Sequence, residues 1–190
     1  MLIISQNYVN YDVPLPKDVT LRINLAWCNS IEQLKEILEK NKKFKIFVDL
    51  PVGRIKPPNN KYTLDELTPI LQNYKNIKFL AISNVEKKSD LEKYIKVVPR
   101  HVNLVPKIES PEGIQNIKEI TDALSNSKKI VMLDHDDLFS SIKRKNQPES
   151  KFIDYVSNLI EFCKENNVSL LRTVGVIFSD DEKRVTQYIK

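Results

Sequence analysis

The sequence predicts an α/β fold, a TIM-like (β/α) barrel that is incomplete, with about seven parallel strands, and three observations lead there. Short apolar runs alternate with amphipathic stretches of helical period along the chain, the pattern of a parallel sheet with right-handed crossovers. Polar residues gather at the C-terminal ends of those runs, where barrels and open parallel sheets place their sites. No eighth strand is legible, so closure falls to an irregular segment or a partner chain, and a homo-oligomer is compatible with that gap. At 190 residues the chain fits one domain, 1–190, with room for a substantial core.

The elements follow in order. Met1–Ser5 is a short apolar first strand, followed by a turn-rich stretch with Pro14 and Pro16. Val19–Ala26 alternates apolar and polar residues as a strand does, and places Arg22 and Asn24 on one face. Ser30 with Gln33 opens a helix over Ile31–Lys42. Phe44–Leu50 is a strand with Asp49 near its end, and the proline-rich loop after it stays out of regular structure. Thr63 with Glu66 starts the helix Leu64–Tyr74, and Ile77–Ser83 is the next strand. Ser89 and Glu92 cap a helix over Asp90–Ile95, and Val102–Ile108 is again a strand. Ser110 as N-cap with Pro111 at the first helical position predicts a helix over Glu112–Leu124. Lys129–Leu133 is a buried strand, followed by an acidic turn and a charged stretch, SSIKRKNQPES, read as a mobile loop. Phe152–Glu165 is an amphipathic helix, Val168–Phe178 contains a strand bearing Thr173, and Asp180–Lys190 is a short polar helix or a frayed tail.

Composition removes several function classes. The net charge of +5 is spread over lysines mixed with glutamates, a solvated surface rather than a nucleic-acid footprint. With three glycines, where average usage gives about 13, the chain has no glycine-rich phosphate loop. Cys28 and Cys163 lie far apart without metal-ligand spacing and read as free thiols in a reducing compartment. No apolar run approaches the roughly 20 residues that span a bilayer, and no secretion signal opens the chain. A cytoplasmic protein that touches neither membrane nor nucleic acid is expected.

The chemistry concentrates between Leu104 and Leu138. Lys107 and Glu109 are two residues apart at a strand end and share a face. They look toward Asp134, Asp136 and Asp137, an arrangement suited to a divalent metal with a cationic partner. The plain alternatives are a strand-end salt bridge for the first pair and a solvated turn for the aspartates. His135 reads as a surface histidine, and His101 receives no role. Trp27 and Tyr62 read as core or rim packing. Arg22 faces either an external anion or an internal carboxylate such as Asp49.

In this order the segments resemble the catalytic barrel domain of pyruvate kinase. LRINLAW is similar to that family's RINFSHG, FVDLPVGRIK to LDTKGPEIR or ADLQGPKIR, and YTLDEL with FLAISNV to its helix start and ALSFV strand. VPKIESPEGIQNIKEI resembles AKIENPEGVENLDEI, VMLDHDDL takes the place of MVARGDLG, and LLRTVGVIF that of VIVATQML. The resemblance implies a Mg or Mn ion held by Glu109 and Asp137, and a phosphoenolpyruvate-like or 2-oxoacid ligand. Lys107 then stabilises an enolate or a phosphoryl group in transfer, and Arg22 contacts phosphate. Asn24 and Asp49 match part of a monovalent-cation site, Thr173 lies near the reacting carbon, and Ser83 takes the family's serine position. Four departures accompany it. His135, Asp136 and Phe139 replace the arginine and glycines of ARGDLG, so a negative side chain faces the substrate carboxylate. Ala26 replaces a serine of the monovalent-cation site, which argues against potassium dependence. The inserted lid domain is absent, and so is the C-terminal domain; both absences argue against full pyruvate kinase activity. Two other readings stand beside it. One is a metal-dependent aldolase or lyase of the citrate lyase type, families that also use an IE-x-x-EG strand and a later DL carboxylate but lack a lysine at position 107. The other is a non-catalytic binding or assembly protein.

Overall fold

The computed structural model describes residues 1–5, 14–54, 57–58, 60–125 and 128–172. Seven strands lie side by side in chain order and every neighbouring pair is parallel. They are β1 Ile3–Ser5, β2 Thr20–Asn24, β3 Lys45–Leu50, β4 Ile77–Ile82, β5 Asn103–Ile108, β6 Ile130–Leu133 and β7 Ser169–Arg172. Between them run α1 Ile31–Lys40, α2 Leu64–Asn73, α3 Glu92–Val97, α4 Pro111–Gln115, α5 Ile117–Asp122, α6 His135–Arg144 and α7 Lys151–Glu165. The result is a curled half-barrel with the helices packed outside it.

Both faces of the sheet are apolar for different reasons. Outward residues such as Leu21, Ile23, Ile46, Val48 and Leu80 join the helices in one large core. Each such side chain, removed from water, contributes roughly 1.5–3 kcal/mol. Inward, Phe47, Ala81, Val105, Ile130 and Met132 form a second cluster, against which Ile3 of β1 and Leu171 of β7 pack. The first and last strands therefore face a common interior. Where that inner row reaches the strand ends it turns polar, with Asn24, Asp49, Ser83, Lys107 and Asp134 following one another around the mouth.

The helix starts obey their sequence signals. Ser30 Oγ accepts from Gln33 N, Thr63 and Glu66 cap reciprocally, and Ser110 Oγ accepts from Gly113 N. A cap of this kind is worth about 1 kcal/mol.

Four expectations are corrected. SSIKRKNQPES is not a loop from its start, because α6 extends through Arg144. Asp134 caps that helix, and Leu138 and Ile142, four residues apart on one face, are fully buried. The helix expected over Glu112–Leu124 breaks into α4 and α5 at Asn116, whose side-chain amide donates to Glu86 O at 2.8 Å. Before α3 a 3-10 turn spans Lys88–Asp90, and Asp90 rather than Ser89 does the capping, accepting from Glu86 N and Lys87 N. Trp27 packs in no core, being 67 % exposed. Tyr62 does sit at a rim, where its hydroxyl donates to Cys28 O. Cys28 and Cys163 are both free and buried. Among the described residues no helix is long and apolar enough to cross a membrane. The strand expected within Val168–Phe178 is described as far as Arg172, so Thr173 and the tail after it lie outside the described residues.

Candidate metal centre at the mouth of the barrel

A cavity of about 500 Å³ opens at the C-terminal ends of β2 to β6. Its floor is Lys107, 5 % exposed, which projects inward from β5 with Glu109 beyond it. Lys107 Nζ lies 2.7 Å from Glu109 Oε1, 3.7 Å from Asp49 Oδ2 and 3.8 Å from Asp134 Oδ2, and it donates to Ser83 Oγ at 3.3 Å. Burial alone depresses an ammonium, but the carboxylates of Asp49, Glu109 and Asp134 outweigh it and set Lys107 above the ordinary lysine value.

The two carboxylates flanking that lysine are held differently. Arg22 donates from Nε to Asp49 Oδ2 at 3.0 Å and also pairs through its Nη2. Burial raises the Asp49 carboxyl, but Lys107 and Arg22 together overcome it and hold it below the usual aspartate range. Glu109 Oε2 accepts the backbone N–H of Asn84 at 2.6 Å. Burial raises the Glu109 carboxyl above its ordinary value, and Lys107 and the Asn84 N–H do not offset it.

Asn84 reaches Glu109 because it adopts a left-handed conformation, φ 54°, which asparagine tolerates better than most residues. Its side chain donates to Val52 O at 2.6 Å and so ties the β4 loop to the β3 loop. Val85 N donates to Lys107 O, and Gly113 packs so closely that a Cβ there would meet Val85 O at 2.7 Å. The loop that serves Glu109 is thus pressed onto β5 by the start of α4.

Glu109, Asp134 and Asp137 offer oxygen atoms that lie within 4.8 Å of one another. Asp134 N-caps α6, and Asp137 lies in that helix's first turn. Three carboxylates suit a hard divalent ion such as Mg or Mn. The fit has further support in the surroundings of Glu109 Oε1, which is buried and meets the Lys107 ammonium at 2.7 Å, so a cation already stands beside the trio. Asp136, by contrast, is exposed and lines no part of the cavity.

The remaining candidates take plain positions. Arg22 faces the internal carboxylate, Asn24 Oδ1 caps the turn after β2 by accepting from Ala26 N at 3.0 Å, and Ser83 serves Lys107. His135 Nε2 accepts from Arg172 Nε at 3.2 Å. Sequence reasoning missed Asn84, Arg54 and Arg144, all of which line the cavity. An asparagine directly after a strand end was the available signal for the first, while the two arginines carry none.

Comparison with known proteins decides between the family readings. Residues 52–189 match the family model described as HpcH/HpaI aldolase/citrate lyase. The chain belongs to that family. Pyruvate kinase barrels form a different family of the same phosphoenolpyruvate/pyruvate superfamily, so the resemblance to them is corrected. The roles inferred from that resemblance lose their basis with it. Of the segments that carried the resemblance, the IE-x-x-EG strand and the DL carboxylate are also expected of the citrate lyase type, which the family match supports.

Solved structures agree on the fold. The crystal structure of citrate synthase SbnG superposes with a TM-score of 0.61 at 12 % identity, over 99 % of this chain and 81 % of that one. The crystal structure of RipC from Yersinia pestis gives a TM-score of 0.58 at 13 % identity, over 88 % of this chain and 75 % of that one. No curated protein matches the sequence.

Proposed function

We propose that this member of the HpcH/HpaI aldolase/citrate lyase family is a metal-dependent lyase that makes or breaks a carbon–carbon bond in a small anionic 2-oxo acid. The observation that carries the reading is the Glu109, Asp134 and Asp137 trio beside a buried lysine, in a chain of that family. Glu109 and Asp137 would hold a Mg or Mn ion, with Asp134 as the third oxygen donor. Such an ion, when bound, polarises a carbonyl oxygen as a Lewis acid.

The chain's own residues supply the surroundings. The cavity is lined by four cations, Arg22, Arg54, Lys107 and Arg144, and by the carboxylates Asp49, Glu109, Asp134 and Asp137. Those charges balance, so a divalent ion leaves the loaded site positive and suited to an anionic ligand. Arg144 is placed to meet it: Lys143 and Lys145 beside it are engaged with Glu149 and Glu112, whereas Arg144 faces the cavity. Lys107 is kept protonated by its carboxylates, which supports a role as a fixed charge and disfavours its use as an imine-forming amine.

The test follows pyruvate production from a panel of 4-hydroxy-2-oxo acids, with Mn²⁺ and after chelation, alongside calorimetric Mn²⁺ binding. The expected result is turnover that needs the metal, with Mn²⁺ affinity falling at least about 100-fold in Glu109→Gln and Asp137→Asn. Wild-type protein that takes up no Mn²⁺, or turnover that survives chelation, would overturn the reading.

A further inference from the structure

Lys107 is the one cation within 4 Å of three buried or half-buried carboxylates among the described residues, and two of those carboxylates belong to the candidate metal trio. Glu109 Oε1 lies 2.7 Å from the ammonium and Asp134 Oδ2 3.8 Å from it, so an ion joining the trio must share both with Lys107. Two cations on one carboxylate repel each other, and in a site this buried the repulsion is poorly screened. The ammonium has somewhere else to turn. Ser83 Oγ at 3.3 Å, just after β4, and Asp49 Oδ2 at 3.7 Å, on β3, lie on the side of β5 opposite to β6 and Asp134. Lys107 also lines the cavity, so a turn toward Ser83 keeps its charge facing a ligand.

We propose that Lys107 is a built-in rival of the metal and then its partner. In the free protein its ammonium substitutes for the metal as counter-ion of Glu109 and Asp134. Once a divalent ion is seated, it turns to Ser83 and Asp49 and presents a second cation to the anionic ligand. This rests on the metal reading above and deepens it, because it assigns the lysine a binding role that the carboxylates alone do not require.

The proposal predicts two effects of opposite sign. As a like charge beside the ion, Lys107 weakens metal binding; as a second cation in the loaded site, it strengthens anion binding. Calorimetry on the full chain measures both, first with Mn²⁺ alone and then with oxalate added to the Mn²⁺-loaded protein. Lys107→Met is expected to bind Mn²⁺ at least about tenfold more tightly and oxalate at least about tenfold more weakly. Lys107→Arg, which keeps the charge on a bulkier head group, should shift both affinities less than Lys107→Met does. Lys107→Gln carries the same expectation as Met and serves if the Met variant does not fold. Both affinities falling together would mark a merely structural lysine and overturn the proposal, as would no change in either. Wild-type protein that binds no Mn²⁺ would instead overturn the metal reading beneath it.

Discussion

Arg22 and Asp49 stand on adjacent strands at the mouth of the barrel, Asp49 buried, accepting from the arginine guanidinium and paired with Lys107 Nζ at 3.7 Å. Asp49→Asn keeps the shape but takes the counter-ion from Arg22 and leaves Lys107 with Glu109 and Asp134 alone. Breaking a fully buried pair costs about 3–5 kcal/mol; Arg22, with its side chain 27 % exposed, keeps part of its hydration, so a loss at or below the low end of that range is expected in urea denaturation. The same relationship fixes an acid limb. The Asp49 carboxyl is depressed in the folded protein, so its stabilisation is present above the ordinary aspartate value and lost as pH falls through the lowered one. Stability of wild type should therefore fall more steeply below pH about 4 than that of Asp49→Asn.

Gly113→Ala tests the support of the site from behind. The added methyl would meet Val85 O at 2.7 Å, and backbone yields less readily than a flexible side chain. A loss of about 1–3 kcal/mol is expected, together with weaker Mn²⁺ binding, since the displaced loop carries the Asn84 N–H that Glu109 accepts. Unaltered metal affinity in a destabilised variant would show that the loop and Glu109 are not coupled.

At the alkaline end the governing groups lie elsewhere. Burial pushes the Cys163 thiol up to about 11 and also raises the Tyr62 hydroxyl, both of which favour the neutral form in the folded state. The unfolded chain ionises them earlier, so stability should be intact below pH about 9 and decline toward pH about 11. Cys163→Ala should flatten that decline. A thiol reagent should label Cys163 in the native protein at neutral pH only at the rate of unfolding, because the side chain is 3 % exposed.

Arg144→Gln addresses ligand recognition at the outer end of α6. Asp137 and Arg144 are seven residues apart, two turns on one helix face, about 10 Å along the axis. The variant should lose about tenfold in affinity for an oxo acid with a second anionic group and little for pyruvate. Mn²⁺ affinity should not fall. Equal losses for both ligands would mean that Arg144 acts only through the overall charge of the mouth.

Much of this was legible because the signals are local. The strands are apolar runs between good caps, and the period of two along β5 sets Lys107 and Glu109 on one face from the sequence alone. What stayed hidden depends on contacts distant in sequence. Helix α6 is anchored by Leu138 and Ile142 in a charged run, with Phe139 edge-on against Phe152, and those residues count as anchors only once the outer core exists around them. Asn116 breaks a continuous helical pattern for a hydrogen bond to Glu86, 30 residues earlier. The family was hidden for the opposite reason: its motif was visible and shared with a neighbouring family. Lys107 tilted the reading toward pyruvate kinase although the rest of the chain does not belong there.

The inner cluster of Phe47, Val105 and Met132 lies directly beneath the charged floor. Phe47 and Phe79, with ring centroids 5.9 Å apart, fill its centre. A polar molecule finds no hydrogen-bonding partner in such a layer, so the inner cluster closes the cavity from below. In the proposed lyase a ligand seated on the charged floor would therefore exchange on the side away from that layer, through the mouth. The direction of ligand exchange is then set by the residues that pack below the site as well as by those that line it.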